Sequence, residues 1–133
     1  MKYLLDTSIL IWSRNDTSRI KDDISSILEG ERNSIYYSPI SLWEISIKYG
    51  LGKLDLAGHT PEEFEQTLSR IYLHSLPLKN EDLISSYRLP KMHGDPFDRM
   101  IVWQCMRENC TLLSADSTLQ SYEEYGLKLI VNS

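Results

Sequence analysis

Three runs, Lys2-Tyr3-Leu4-Leu5, Ile35-Tyr36-Tyr37 and Leu127-Lys128-Leu129-Ile130-Val131, are apolar at nearly every position instead of every second one. A strand with one wet face alternates, whereas a strand covered on both faces has two side-chain rows to bury. Strands of that kind belong to parallel sheets packed between helices. The intervening segments carry a helical period. Ile20, Ile24, Ile27 and Leu28 recur at helical spacing up to Gly30, and Pro39 opens a helix running to Tyr49-Gly50. Thr60-Pro61-Glu62-Glu63 combines an N-cap, a first-position proline and first-turn acids. Strands and helices in alternation predict an α/β domain, a mainly parallel sheet with helices on both faces.

Remaining segments read in the same way. Thr7-Ser8 opens a helix directly after the first strand, residues 51–59 form a loop or hairpin, and residues 72–78 form a strand. Residues 81–89 make a short helix, and 90–94 a basic loop. A long apolar helix follows HGDPFDR, then the strand Thr111–Ser114, a short helix and the last strand. A chain of 133 residues favours one domain. The start, MKYLLDTSILIW, is interrupted by Asp6 too early for a signal peptide, and no apolar run approaches ~20 residues. Cys105 and Cys110 match no zinc or redox spacing. The expectation is a soluble cytoplasmic domain.

With 14 basic and 19 acidic residues the formal charge is -5, which argues against a general nucleic-acid binder. It leaves a nuclease open, because bound metal ions reverse the local sign. In sheets of this type the binding crevice lies beyond the carboxyl ends of the strands. Asp6 follows the first strand, Asp116 follows Thr111–Ser114, Glu44 lies in the helix after Ile35-Tyr36-Tyr37, and Asp95 and Asp98 head the helix before Thr111. Singly, Asp6 and Asp116 read as helix caps, Asp95 and Asp98 as the N-cap and first-turn acid of one helix, and Glu44 as an i, i+4 partner of Lys48. Together, several carboxylates in one crevice repel each other, and a hard divalent cation resolves the conflict. An acid set without a Cys/His cluster favours Mg²⁺ or Mn²⁺ and suits phosphodiester hydrolysis by a metal-activated water.

LLDTSILIW, SPISLWEISIKYGLGKL, LPKMHGDPFDRMIVWQ and LLSAD, in this order and spacing, resemble the PIN-domain family, in particular its VapC-type branch. The resemblance covers nearly the whole chain and implies a single PIN domain over residues 1–133, an α/β/α sandwich. It implies a Mg²⁺ or Mn²⁺ endoribonuclease that leaves a 5′-phosphate and a 3′-hydroxyl. It also implies the toxin of a toxin–antitoxin pair, a homodimer held inactive by an antitoxin. Matched by position, Asp6, Glu44, Asp98 and Asp116 are the catalytic metal-site acids, and Asp95 caps the helix or assists. Thr7 or Ser8 is expected to orient a water; Lys48 and Arg99, with Arg88, Lys91 and His93, either meet phosphate or are solvated surface and ion-pair partners. One departure is Trp103 and Cys105, where relatives carry small alanines; it points to different packing behind the site or a bulkier dimer surface.

Trp12 and Trp43 are candidates for base stacking, with buried core as the preferred reading of both. The stretches RIKDDISSILEG and EEFEQTLSRIYL offer antitoxin docking surfaces or ordinary core helices. A phosphotransferase of the haloacid-dehalogenase type needs a second acid two residues after the first, where Ser8 stands. The remaining alternative is a non-enzymatic RNA- or protein-binding module whose acids are structural caps.

Overall fold

A computed structural model describes residues 1–69 and 72–133; Arg70 and Ile71, within the second docking candidate, lie outside the described residues. Among the described residues five parallel strands form one sheet: β1 (Lys2–Leu5), β2 (Ser34–Tyr37), β3 (Leu73–Ser75), β4 (Thr111–Ser114) and β5 (Lys128–Val131), in the order β3-β2-β1-β4-β5. Six α-helices among the described residues connect them: α1 (Thr7–Asn15), α2 (Asp22–Glu29), α3 (Pro39–Gly50), α4 (Pro61–Leu68), α5 (Asn80–Ser85) and α6 (Pro96–Arg107). The expected α/β/α sandwich is the observed fold.

The unbroken apolar runs have a direct cause. In β1, Tyr3 and Leu5 enter one core with Ile9, Leu10, Ile24, Ile45, Phe64 and Leu68, while Leu4 enters the other with Met100, Ile101, Val102, Cys105 and Tyr122. Strand β4 divides likewise, Leu113 to the first core and Leu112 to the second. Adjacent residues thus face opposite helical layers, and neither row meets water.

Local chemistry explains the element ends. Thr60 and Glu63 form a reciprocal capping box at the start of α4. Residues 51–59 are a loop, with Gly52, Ala57 and Gly58 all at positive φ. Strand β3 is shorter than expected: Leu76 N–H still donates to Tyr37 O at 2.9 Å, but Pro39 has no N–H to give Leu76 O, which accepts from Gln104 Nε2 at 3.0 Å instead. The helix expected after Asp116 is a 3₁₀ segment, Ser117–Tyr125, closed by Gly126 at φ 107°. Trp103 of α6 faces α5, its indole N–H donating to Ser85 Oγ at 3.2 Å, and Cys105 is buried in the second core. Among the described residues no helix is long and apolar enough to cross a membrane.

Leu112 is fully buried in the central layer. Leu112→Ala should therefore lower the unfolding free energy by about 2–5 kcal/mol in urea titrations, while retaining the wild-type circular dichroism spectrum.

Candidate active site

The strand order reverses between β1 and β4, so their carboxyl ends open a crevice at the switch point. This crevice, about 280 Å³, is lined by Asp6, Thr7, Ser8, Glu44, Lys48, Asp95, Asp98, Ala115 and Asp116. Five acids from four separate stretches of sequence meet there, carried by the ends of β1 and β4 and by α3 and α6.

Asp6 is 5% exposed and uses both oxygens. Oδ1 accepts from Ile9 N–H at 2.8 Å, capping α1, and Oδ2 accepts from Ser114 Oγ at 2.6 Å and Ala115 N–H at 3.0 Å. One side chain thus caps α1 and lines the crevice. Burial pushes its pKa up, three hydrogen bonds oppose this, and the charge of Glu44 adds to the rise.

Glu44 is 4% exposed. Thr7 Oγ1 lies 2.5 Å from its Oε1 and 2.9 Å from Ser41 Oγ. One hydroxyl proton serves one acceptor, so Thr7 donates to Glu44 while Ser41 donates to Thr7. Lys48, one turn on, pairs with the other carboxylate oxygen, and this bond, opposed by burial and aided by Asp95 and Asp98, raises the lysine pKa. The expected i, i+4 pair exists inside the crevice. Thr7 and Lys48 are thus engaged with Glu44, and Ser8 is the exposed hydroxyl of the group.

Asp95 caps α6, its Oδ1 accepting from Phe97 N–H at 2.8 Å and Asp98 N–H at 3.4 Å. That start aims Asp98 inward. Among the described residues the Asp98 carboxylate accepts no hydrogen bond, and His93 Nε2 stands 3.9 Å from its Oδ2. Its pKa is pushed up to about 7, first by burial and then by the charges of Asp95, Glu44 and Asp6, with His93 opposing. Asp116 caps the 3₁₀ segment through Oδ1, which accepts from Thr118 N–H at 2.9 Å and Oγ1 at 2.6 Å. Burial raises its pKa, but the bonds from Thr118 and His93 outweigh burial and the net shift is downward.

Several expectations need correction. His93, expected to meet phosphate, instead reaches the acids: its Nε2 lies 3.0 Å from Asp116 Oδ2, and His93, Asp98 and Asp116 bring potential ligand atoms within 4.8 Å of one another. Arg99 does not line the crevice. Its guanidinium donates to Pro90 O at 3.0 Å, Leu89 O at 3.2 Å and Tyr122 Oη at 3.2 Å, because position 99 points toward the preceding loop. Arg88 and Lys91 are exposed outside the lining, with Arg88 over the Tyr87 ring. Trp43 is 59% exposed and not core: α3 buries the face of Ser41, Glu44 and Ile45, leaving Trp43 edge-on to Phe97 with ring centroids 5.3 Å apart. Trp12 packs partly buried against the first core.

Sequence reasoning missed Ser41 and Ser114. Ser41 is three residues before Glu44 and so on its helix face; Ser114 ends a fully buried strand, a position where a hydroxyl needs a partner. Oxygen donors dominate the crevice, and burial first, then neighbouring carboxylates, push the Asp98 pKa up to about 7. A hard divalent cation fits such a donor set.

The family model described as PIN domain matches residues 3–125. No curated protein matches the chain significantly by sequence. Among solved structures, the chain is similar to one from VapBC2 of Rickettsia felis bound to a DNA fragment from their promoter, with 20% identity, full coverage of both chains and a TM-score of 0.69. It is also similar to a chain of VapBC-1 from nontypeable Haemophilus influenzae, at 18% identity, 98% coverage of each chain and a TM-score of 0.64. DNA-bound VapBC from Salmonella typhimurium gives 17% identity, 100% and 99% coverage and a TM-score of 0.62.

The raised pKa of Asp98 makes a stability prediction. Between its ordinary value of 3.8 and about 7 the folded state holds a proton that the unfolded state has lost. Stability therefore falls as pH rises through that window and levels off above it. In EDTA, Asp98→Asn should stabilise the chain little at pH 4 and by on the order of a few kcal/mol at pH 8, read from urea midpoints. A wild-type chain that gains stability over the variant between pH 4 and pH 7 contradicts this.

Proposed function

The chain belongs to the PIN-domain family, and from that premise we propose that it is a divalent-metal-dependent endoribonuclease, a single domain over residues 1–133. The observation that carries this reading is Asp98. Asp6, Asp95 and Asp116 each have a capping task, but Asp98 caps nothing, accepts no hydrogen bond among the described residues, and is crowded by three other acids. The dipole of α6 favours an acid in its first turn, but a structural role gains nothing from burying that acid among three others; a cation site does.

In this reading Asp6, Glu44, Asp98 and Asp116 would hold Mg²⁺ or Mn²⁺, with Asp95 fixing the direction of Asp98. The cation supplies Lewis-acid stabilisation of phosphate charge and lowers the pKa of a water. The chain's own residues do the rest. Thr7 and Ser41 fix the Glu44 carboxylate, Lys48 offsets its charge, and Ser8 offers the crevice a free hydroxyl. Water attacks in line with the departing 3′-oxygen, leaving a 5′-phosphate.

The VapBC neighbours support a toxin role with a cognate antitoxin as partner. Homodimerisation and a cytoplasmic location belong to the same proposal. The alternative, a non-enzymatic RNA- or protein-binding module, draws support from the capping bonds of Asp6, Asp95 and Asp116.

One assay separates the two. The purified chain should cleave single-stranded RNA with Mg²⁺ or Mn²⁺ and stop in EDTA. Asp6→Asn should lower kcat by at least roughly 100-fold, at or beyond the upper range of losing a ligand's supporting partner. Asp98→Asn should cost more activity than Asp95→Asn. Cleavage that persists in EDTA and in Asp6→Asn overturns the proposal.

A further inference from the structure

His93 meets the acids with one ring nitrogen and the backbone with the other. Asp95 N–H donates to Nδ1 at 3.2 Å. A backbone amide is only a donor, so Nδ1 must offer its lone pair, and the neutral ring then carries its proton on Nε2. Nε2 lies 3.0 Å from Asp116 Oδ2 and 3.9 Å from Asp98 Oδ2. The ring therefore presents an N–H to the crevice. Ligation of a cation through Nε2 needs a lone pair there. It would move the proton to Nδ1, directly against the Asp95 N–H.

Resting on the reading of the crevice as a cation centre, we propose that His93 is a positioning residue and not a metal ligand: its Nε2–H holds the Asp116 carboxylate in its working orientation. The rest of the geometry agrees. Asp116 is a third exposed and needs restraint; Thr118 holds Oδ1 twice, and His93 holds Oδ2. The ring's own position is set from behind. Arg99 ties Leu89 O and Pro90 O to Tyr122 Oη, and Met92 N–H reaches the same hydroxyl at 3.4 Å. The chain of restraint runs from α6 through the loop to the imidazole and on to Asp116. An outer hydrogen-bond partner of this kind orients a ligand without touching the ion.

Two measurements test the proposal. In the metal-free full chain, the ¹⁵N spectrum of His93 should show a bare Nδ1 and a protonated Nε2; a ring protonated on Nδ1 alone overturns the assignment. With Mn²⁺ bound, electron spin-echo spectra should show no directly coordinated His93 nitrogen, and a coupling lost in His93→Gln overturns it too. In RNA cleavage, His93→Ala should lower kcat by about 10–100-fold. His93→Gln should restore most of it, because the glutamine amide N–H stands as many bonds from Cβ as Nε2 does. Equal losses in both variants, or no loss in either, overturn the positioning role. Should the wild-type chain bind no Mn²⁺ and cleave no RNA, the proposed function fails, and the nitrogen spectrum of the metal-free chain still decides the state of His93.

Discussion

One carboxylate joins the two halves of this molecule. Asp6 extends β1, caps α1 with Oδ1, and takes two hydrogen bonds from the end of β4 with Oδ2, while its own N–H donates to Leu113 O. A buried charge is tolerated only when its oxygens are satisfied. Asp6 reaches that state only if β1, α1 and β4 end together, and that common end is the crevice. Ser114 closes the joint, donating to Asp6 and accepting from Asp116 N–H at 2.9 Å, so the two acids share one hydroxyl between them.

The packing that buries both faces of the sheet also decides where charge can gather. With helices on both sides, the strand ends near the switch point are where polar side chains of several elements can converge. The acids there are compensated unevenly. Glu44 has Lys48 and Thr7, Asp6 and Asp116 have hydrogen bonds, and Asp98 has almost nothing. The overall charge of -5 is thus partly a local matter.

Much of this was legible beforehand. Unbroken apolar runs gave away two-faced burial, and Thr60-Pro61 and Asp95-Pro96 marked helix starts through chemistry confined to four or five residues. The acids could be ranked because strand ends follow from the same periodicity. What was hidden depends on direction in space. Arg99 and Asp98 are neighbours, yet one turns to the crevice and the other to the loop behind it. His93 meets a residue 23 positions later, which no local pattern encodes. Trp43 looked like core because its neighbours are apolar, but its helix buries a different face. The capping bonds of Asp6, Asp95 and Asp116 are compatible with the proposed cation site, since a capping aspartate keeps lone pairs to spare.

The Arg99 clasp has an energetic meaning beyond holding a loop. Residues 89–95 have no strand or helix of their own, and left free they would sample many conformations around the crevice. Three guanidinium bonds to two carbonyls and a tyrosine hydroxyl remove that freedom when the chain folds. A ligand arriving later meets a wall already in place, and the entropy of ordering it is not subtracted from the affinity.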